Sequence, residues 1–121
     1  SKKYPYYIHR TDNEALALAG LYTHIGEYVT FTILTKDASP MFAEIHNKRK
    51  RQPIILKQEF EKEWLRDDLN ENGIKELINL QFNDEELEAY TVSRDLFSPK
   101  IISDIKSITN NIKYPELVTL F

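Results

Sequence analysis

Two strand-type runs separated by a short turn constrain the fold of this chain more than any other feature. Residues 15–22 are almost continuously apolar, which is typical of a strand buried on both faces. Residues 28–35 alternate instead, with Val29, Phe31 and Ile33 on one face and threonines on the other. With the aromatic segment 4–8 ahead of them, these runs predict three neighbouring β-strands joined by hairpin-type loops.

Short helices are predicted between further strands. Ser39 and Pro40 supply a capping hydroxyl and a first-turn proline, which predicts a helix over residues 41–46. The pattern also predicts a helix near 56–65 that is broken at Asn72-Gly73, a helical turn or two at 74–80, a helix over 99–108, strands at 53–56 and 87–92, and an extended tail from Tyr114. No internal repeat or linker is visible. The sequence therefore predicts one α+β domain over residues 1–121.

Composition excludes several classes of function. The chain has no cysteine, so it can form no disulfide, thiolate metal site or thiol nucleophile of its own. Its three glycines are isolated, which argues against a glycine-rich phosphate loop, and its histidines at 9, 24 and 46 lack metal-ligand spacing. No apolar run is long enough to span a bilayer. We therefore expect no metal, no cofactor and no membrane partner.

The net charge of −3 hides two oppositely charged regions. Residues 1–57 carry nine Lys/Arg against five Asp/Glu, whereas residues 59–88 carry three against eleven. The acidic stretch is typical of solvated helix faces, although it could also serve a protein-interaction domain. The basic region is the better candidate for chemistry.

The segment that best combines charge with proton chemistry begins at His46. This imidazole can exchange a proton near neutral pH, and four cations follow at positions 48–51. Such a pattern suits acid–base work on a phosphodiester polymer, with the cations neutralising phosphates. The alternative is an exposed basic loop that follows a helix and is favoured there by the helix dipole.

Three tyrosines and three cations open the chain: Tyr4, Tyr6, Tyr7, Lys2, Lys3 and Arg10. They could form a stacking platform for single-stranded bases, or the aromatic rings could pack as the core side of a first strand.

Five segments in succession carry a resemblance beyond composition: Lys3-Tyr4-Pro5-Tyr6-Tyr7-Ile8, Leu18-Ala19-Gly20-Leu21-Tyr22, Thr30-Phe31-Thr32-Ile33-Leu34-Thr35-Lys36-Asp37-Ala38, Ile45-His46-Asn47 and Arg51-Gln52-Pro53-Ile54-Ile55-Leu56. Their order and spacing resemble the second half of the SOS response-associated peptidase (SRAP) family, and the lysine-rich loop resembles that of Bacteroidetes-type members. The resemblance implies a mixed, largely antiparallel, curved or pseudo-barrel sheet with short flanking helices, incomplete without an N-terminal half.

The resemblance also implies a function. Members of this family recognise abasic sites in single-stranded DNA and trap the sugar aldehyde as a thiazolidine crosslink through an N-terminal cysteine, which was also proposed to act as a peptidase. His46 matches the active-site histidine expected to transfer protons, Arg51 the arginine expected to hold a phosphate, and Thr35 a threonine lining the pocket. Gln52 replaces the usual methionine beside the DNA channel, and the basic loop residues Lys48, Arg49 and Lys50 are expected to bind DNA.

The cysteine, an asparagine–arginine pair and a glutamate of the family site belong to its first half. We therefore expect this chain to be the C-terminal portion of an SRAP domain, to need that N-terminal half as its partner and to be inactive alone. We expect a cytoplasmic location, on the nucleoid when bound to DNA. Two alternatives stay open: a non-catalytic nucleic-acid-binding module using residues 48–51, and a protein-interaction domain using its acidic helices.

Overall fold

The computed structural model of the chain describes residues 2–45, 48–80 and 82–118. Within these ranges the strands are β1 Tyr6–Arg10, β2 Ala17–Leu18, β3 Gly20–Ile25, β4 Tyr28–Ile33, β5 Thr35–Asp37, β6 Arg51–Pro53, β7 Ile55–Leu56 and β8 Leu87–Thr91. The helices are α1 Pro40–Ile45, α2 Glu61–Trp64, α3 Glu71–Asn79 and α4 Pro115–Val118, with 3-10 turns at Gln58–Phe60, Asp84–Glu86, Arg94–Phe97 and Lys106–Thr109.

The strands form four antiparallel ribbons, β1–β8, β2–β7, β3–β4 and β5–β6. The predicted α+β class and antiparallel pairing are confirmed, but no barrel closes within the described ranges. The β3–β4 hairpin is confirmed as well. The prediction that the first strand neighbours the next two is wrong, because β1 pairs with the distant β8 from Tyr6 opposite Thr91 to Arg10 opposite Leu87.

Three of these ribbons meet at a cyclic set of backbone hydrogen bonds. The Ala19 N–H donates to the Ile54 carbonyl at 2.9 Å, the Ile54 N–H to the Leu34 carbonyl at 3.0 Å, and the Leu34 N–H to the Ala19 carbonyl at 2.9 Å. Each residue lies between two consecutive strands, so each strand changes its partner there. This three-way junction satisfies every backbone group that the partner exchange would otherwise leave without a bond.

The core consists of two clusters on opposite sides of the Ile54–Leu56 segment. Ile54 and Leu56 pack with Ala19, whereas Ile55 packs with Phe42 and Leu87. Consecutive residues of an extended chain point to opposite faces, so this short apolar run serves both clusters. The strand predicted at residues 53–56 is found in two pieces, the end of β6 at Pro53 and β7 at Ile55–Leu56, with the change of partner at Ile54 between them.

The helix prediction was right at α1 and wrong at Asn72-Gly73 and over residues 99–108. Asn72-Gly73 does not break a helix but lies in the first turn of α3, where the Asn70 side chain caps the Gly73 N–H at 2.8 Å. The break comes earlier, between α2 and α3.

The C-terminal region also departs from prediction. Residues 99–108 form no α-helix, because Ile101 and Ile105 are exposed and supply no core face. The predicted extended tail ends instead in α4, where Pro115 occupies the first helical position. The Tyr114 hydroxyl anchors this region by donating to the Val92 carbonyl at 2.8 Å.

Candidate nucleic-acid interface

The β5–β6 ribbon presents an outward face that unites three polar side chains. The antiparallel register places Asp37 opposite Arg51 and Thr35 opposite Pro53. Residues two apart on a strand share a face, so Thr35, Asp37 and Arg51 lie together on the exposed side. The structure thus brings together Thr35 and Arg51, which are far apart in sequence.

Hydrogen bonds hold the Arg51 guanidinium in one orientation. Nη1 donates to Asp37 Oδ1 at 2.8 Å, and Nη2 donates to the Thr35 carbonyl at 3.0 Å and to Thr35 Oγ1 at 3.2 Å. A guanidinium carries five N–H donors, so at least two are left without a hydrogen bond to the described part of the chain. A planar group with donors to spare can bind a phosphate.

A row of exposed cations leads into this ribbon. Lys48, Arg49 and Lys50 are all exposed, and no ion pair formed between described residues involves them. Lys50 adopts a left-handed backbone conformation with φ of 48°, and its carbonyl accepts a hydrogen bond from the Ala38 N–H at 2.9 Å. This turn connects the basic loop directly to Arg51, so four cations are consecutive and solvent-facing.

The opposite face of the ribbon points inward and carries Gln52 and Lys36. Gln52 is only 7% exposed, and its Oε1 accepts the Ser39 N–H at 2.6 Å. Its position gives no support to the expected contact with DNA, because strand alternation turns it to the face opposite Arg51. Burial lowers the pKa of the Lys36 amine, and the nearby Asp84 carboxylate opposes that shift.

Asp84 fixes the start of α1 from more than forty residues away. Its Oδ1 accepts the Ser39 hydroxyl hydrogen at 2.8 Å, and its Oδ2 accepts the Met41 N–H at 3.3 Å. Ser39 was predicted to cap this helix itself, but its hydroxyl donates to Asp84, and the Asp84 carboxylate binds the first-turn N–H. These two hydrogen bonds of Asp84 hold the start of the short helix α1, which ends at Ile45, directly before His46 in the sequence.

His46, the predicted catalytic residue, lies outside the described residues, directly after the last residue of α1. Among the residues that the structure does describe, no group of three or more His, Cys, Asp or Glu side chains could hold a metal ion. None of the described helices is long and apolar enough to cross a membrane.

Residues 1–99 match the family model described as SOS response associated peptidase (SRAP). The chain belongs to the SRAP family. The resemblance drawn from the sequence segments is thereby confirmed at the level of the family.

Curated relatives of this SRAP chain are abasic site processing proteins. It is 34% identical over 103 residues to YoaM of Bacillus subtilis (strain 168), a match that covers 81% of this chain and 44% of that protein. It is 33% identical over 105 residues to YobE of the same organism, covering 83% and 47%. The chain spans about half the length of the curated relatives it matches.

A solved structure is similar in fold as well. A crystal structure of a protein from Bacteroides thetaiotaomicron superposes with a TM-score of 0.82 at 31% identity, covering 93% of this chain and 50% of that one. This match covers four antiparallel ribbons with short helices, so it supports the SRAP-type α+β fold.

The N-terminal tyrosines of the SRAP chain do not form one platform. Tyr6 and Tyr7 are consecutive on β1 and point to opposite faces. Tyr7 stacks on His9 with ring centroids 5.2 Å apart, whereas Tyr4 meets Tyr114 edge-on at 4.8 Å. The platform hypothesis therefore loses the shared surface that it required.

The sequence reasoning missed one residue of the interface, Asp37, and one residue that supports it from the start of α1, Asp84. Asp37 could have been found, because it lies two residues after Thr35 on the same strand and hence on the same face. Asp84 had no local signal, since it sits in a 3-10 turn within an acidic stretch and meets α1 only in the folded chain.

Proposed function

We propose that this chain supplies the phosphate-facing part of a protein that recognises abasic sites in single-stranded DNA. The proposal is based on one observation: the exposed cations at 48–50 directly precede Arg51, whose guanidinium is oriented by Thr35 and Asp37. The choice of abasic sites as the target is supported by the curated relatives, which are named abasic site processing proteins.

Each part of this surface has a distinct role in the proposal. Lys48, Arg49 and Lys50 neutralise successive phosphates and give affinity that does not depend on sequence. Arg51 donates its free N–H groups to one phosphate, and Thr35 fixes the orientation of the guanidinium. Gln52 supports the ribbon from beneath by bonding the Ser39 backbone.

The crosslinking step needs groups that this chain does not contain. As the family resemblance implies, the α-amine of an N-terminal cysteine condenses with the open sugar aldehyde and releases water, and the thiol then adds across the resulting imine. We propose that His46 moves the protons of these steps at the end of α1. These 121 residues contain no cysteine, and we propose that the thiol is supplied by the N-terminal half of the SRAP domain. The proposed location is the cytoplasm, on nucleoid DNA.

Binding to single-stranded oligonucleotides, with and without a stable abasic analogue, tests the DNA interface. Single strands lose affinity with a log–log salt slope of about 0.7 per phosphate contact, so replacing Lys48, Arg49 and Lys50 with alanine should reduce the slope by about 2. The matched control replaces three exposed lysines elsewhere, Lys62, Lys100 and Lys106, and should leave the slope unchanged. Equal losses in the two triple variants would contradict the proposal, and equal affinity for both oligonucleotides would favour a lesion-independent binding module.

Crosslinking is tested separately by incubating the chain with abasic single-stranded DNA and separating the products on a denaturing gel. No resistant band is expected from this chain alone. A strong band that disappears in His46→Ala would overturn the claim that the chain needs a cysteine from elsewhere.

A further inference from the structure

A cavity of about 460 Å³ lies where the end of the β1–β8 ribbon meets the segment that precedes α4. Small-molecule sites in proteins have volumes of about 300–1,000 Å³, so this cavity can hold a ligand. Its lining comes from two distant parts of the chain: Tyr6, Tyr90 and Thr91 belong to the ribbon, and Asn111, Lys113 and Tyr114 belong to the segment before α4.

Hydrogen bonds hold the segment 109–112 along the end of β8. The Ile112 N–H donates to the Thr91 carbonyl at 2.9 Å, and the Thr91 hydroxyl donates to the Ile112 carbonyl at 2.6 Å. The Tyr90 hydroxyl donates to the Thr109 carbonyl at 2.7 Å. Because these bonds order both walls in the free chain, a ligand pays little conformational entropy to form the site.

Each wall of the cavity contributes an aromatic residue, Tyr6 on the ribbon and Tyr114 on the segment before α4. The Tyr114 hydroxyl donates to the Val92 carbonyl and accepts the Arg94 N–H at 3.1 Å, so the position of the ring is fixed. Tyr6 is 38% exposed, which leaves part of its ring open to solvent. Aromatic side chains that are fixed and partly exposed are the groups on which nucleic-acid bases stack.

The polar part of the lining is unpaired and cationic. Asn111 and Lys113 are exposed, and neither side chain makes a hydrogen bond or ion pair with another described residue. Residues 105–115 contain two lysines and no aspartate or glutamate. Two nearby carboxylates are engaged elsewhere, since Glu116 accepts the Tyr4 hydroxyl hydrogen at 2.8 Å and Glu88 contacts His9 at 3.3 Å.

These groups match the three parts of a nucleotide. An aromatic ring stacks on a base, an amide side chain can both donate to and accept from a base edge, and an ammonium pairs with a phosphate. We propose that this cavity binds one nucleotide, with its base against Tyr6 and Tyr114 and its phosphate on Lys113. Asn111 then binds the edge of the base.

The proposed nucleotide site is separate from the DNA interface. Asn111, Lys113 and Tyr114 lie outside residues 1–99, which match the family model, and the lining contains neither Arg51 nor the basic loop. The nucleotide proposal can therefore fail while the DNA interface stands, and the reverse also holds.

The test is a titration of the nitrogen-15-labelled 121-residue chain with dAMP, followed by the backbone amide signals in NMR spectra. The signals of residues 111–114 should shift with dAMP and should not shift with deoxyribose 5-phosphate, which has no base. A short single-stranded oligonucleotide then identifies the source of the ligand. Shifts of the same amides would indicate a base within a strand, and shifts with dAMP alone would indicate a free nucleotide.

Two substitutions separate the roles of charge and ring. Lys113→Met should weaken dAMP binding by about fivefold and leave the binding of deoxyadenosine, which has no phosphate, unchanged. Tyr6→Leu should weaken the binding of both compounds by about fivefold or more, because it removes the ring but keeps an apolar side chain on β1. Lys100→Met is the matched control, because Lys100 is exposed but lies outside the lining, and it should change neither affinity.

Thermal unfolding without ligand checks the folding of each variant, and the two lysine variants should match the unsubstituted chain. The proposal would be overturned if dAMP left residues 111–114 unshifted or if deoxyribose 5-phosphate shifted them equally. It would also be overturned if Lys113→Met weakened dAMP and deoxyadenosine alike, or if dAMP shifted only the signals of residues 48–51.

Discussion

Replacing Asp84 with alanine should loosen α1 without touching the core. The carboxylate accepts the Ser39 hydroxyl hydrogen at 2.8 Å and the Met41 N–H at 3.3 Å, and the residue is half-buried. A hydrogen bond to a charged group contributes about 1.5–3 kcal/mol, and loss of a helix cap costs about 1 kcal/mol. Because water replaces part of both contacts, we expect the free energy of unfolding to fall by about 2 kcal/mol.

The assay is urea denaturation followed by circular dichroism, with the thermal midpoint as a second measure. A loss of about 2 kcal/mol corresponds to a midpoint lower by about 8 °C for a domain of this size. Asp84→Asn keeps one of the two acceptor oxygens and replaces the other with an NH2 group, so it can keep one of the two contacts and should cost about half as much. Hydrogen exchange of the Met41 amide should accelerate in both variants.

The control is Glu85→Ala, which removes a neighbouring carboxylate from the same 3-10 turn. Glu85 is exposed, and its backbone N–H, which the substitution keeps, donates to Asn83 Oδ1 at 3.1 Å. This variant should change stability by less than about 0.5 kcal/mol. If Asp84→Ala and Glu85→Ala were equally stable, the two hydrogen bonds of Asp84 would contribute nothing and its role in fixing the start of α1 would be refuted.

Three further predictions concern Ile54 at the three-way junction, Gly20 at the start of β3, and stability in acid. Ile54→Ala should cost about 2–5 kcal/mol in urea denaturation because Ile54 is 2% exposed, whereas the exposed Ile102→Ala should cost less than about 0.5 kcal/mol; similar costs would refute the core assignment. Gly20→Ala would place a Cβ 2.9 Å from a backbone carbonyl oxygen and should lower stability by about 1–3 kcal/mol; unchanged stability would show that the ribbon can shift. Hydrogen bonding from Arg10 lowers the pKa of Asp12, so that pair stabilises the fold above the ordinary carboxyl pKa and the benefit disappears as pH falls through the lowered value. The thermal midpoints of the native chain and Asp12→Asn should therefore differ at neutral pH and begin to converge once the pH falls below the ordinary carboxyl pKa of about 3.9, and a constant gap would contradict the assignment.

Local signals predicted the elements that depend on neighbours in sequence. The β3–β4 hairpin and α1 follow from alternation, a glycine turn and a proline at the first helical position. The helix predictions were wrong at two places. The Asn70 cap starts a helix where a helix end was predicted, and the predicted helix over residues 99–108 is absent because Ile101 and Ile105 are exposed and cover no core surface. Such failures arise because a helical pattern becomes a helix only when its apolar face is buried.

The candidate interface likewise has one part that the sequence predicted and another that only the fold shows. The basic run at 48–51 and its solvent-facing character could be read from charge alone. The contact of Arg51 with Thr35 and Asp37 required the β5–β6 register, which fixes which side chains share a face. The family segments named Thr35 and Arg51 together, but only the ribbon geometry shows how one orients the other.

The sequence by itself determined the strand-forming segments, the basic loop and the family, since these depend on residue order along the chain. The tertiary structure alone decided the pairings between strands that are far apart in sequence. Backbone hydrogen bonds carry no information about side-chain identity, so nothing local could predict that β1 pairs with β8 or that Ala19, Leu34 and Ile54 close a three-way junction. It also turned Gln52 inward, brought Asp84 to the start of α1, and left the β3–β4 hairpin exposed among the described residues, because the contacts that bury a side chain come from elements far apart in sequence.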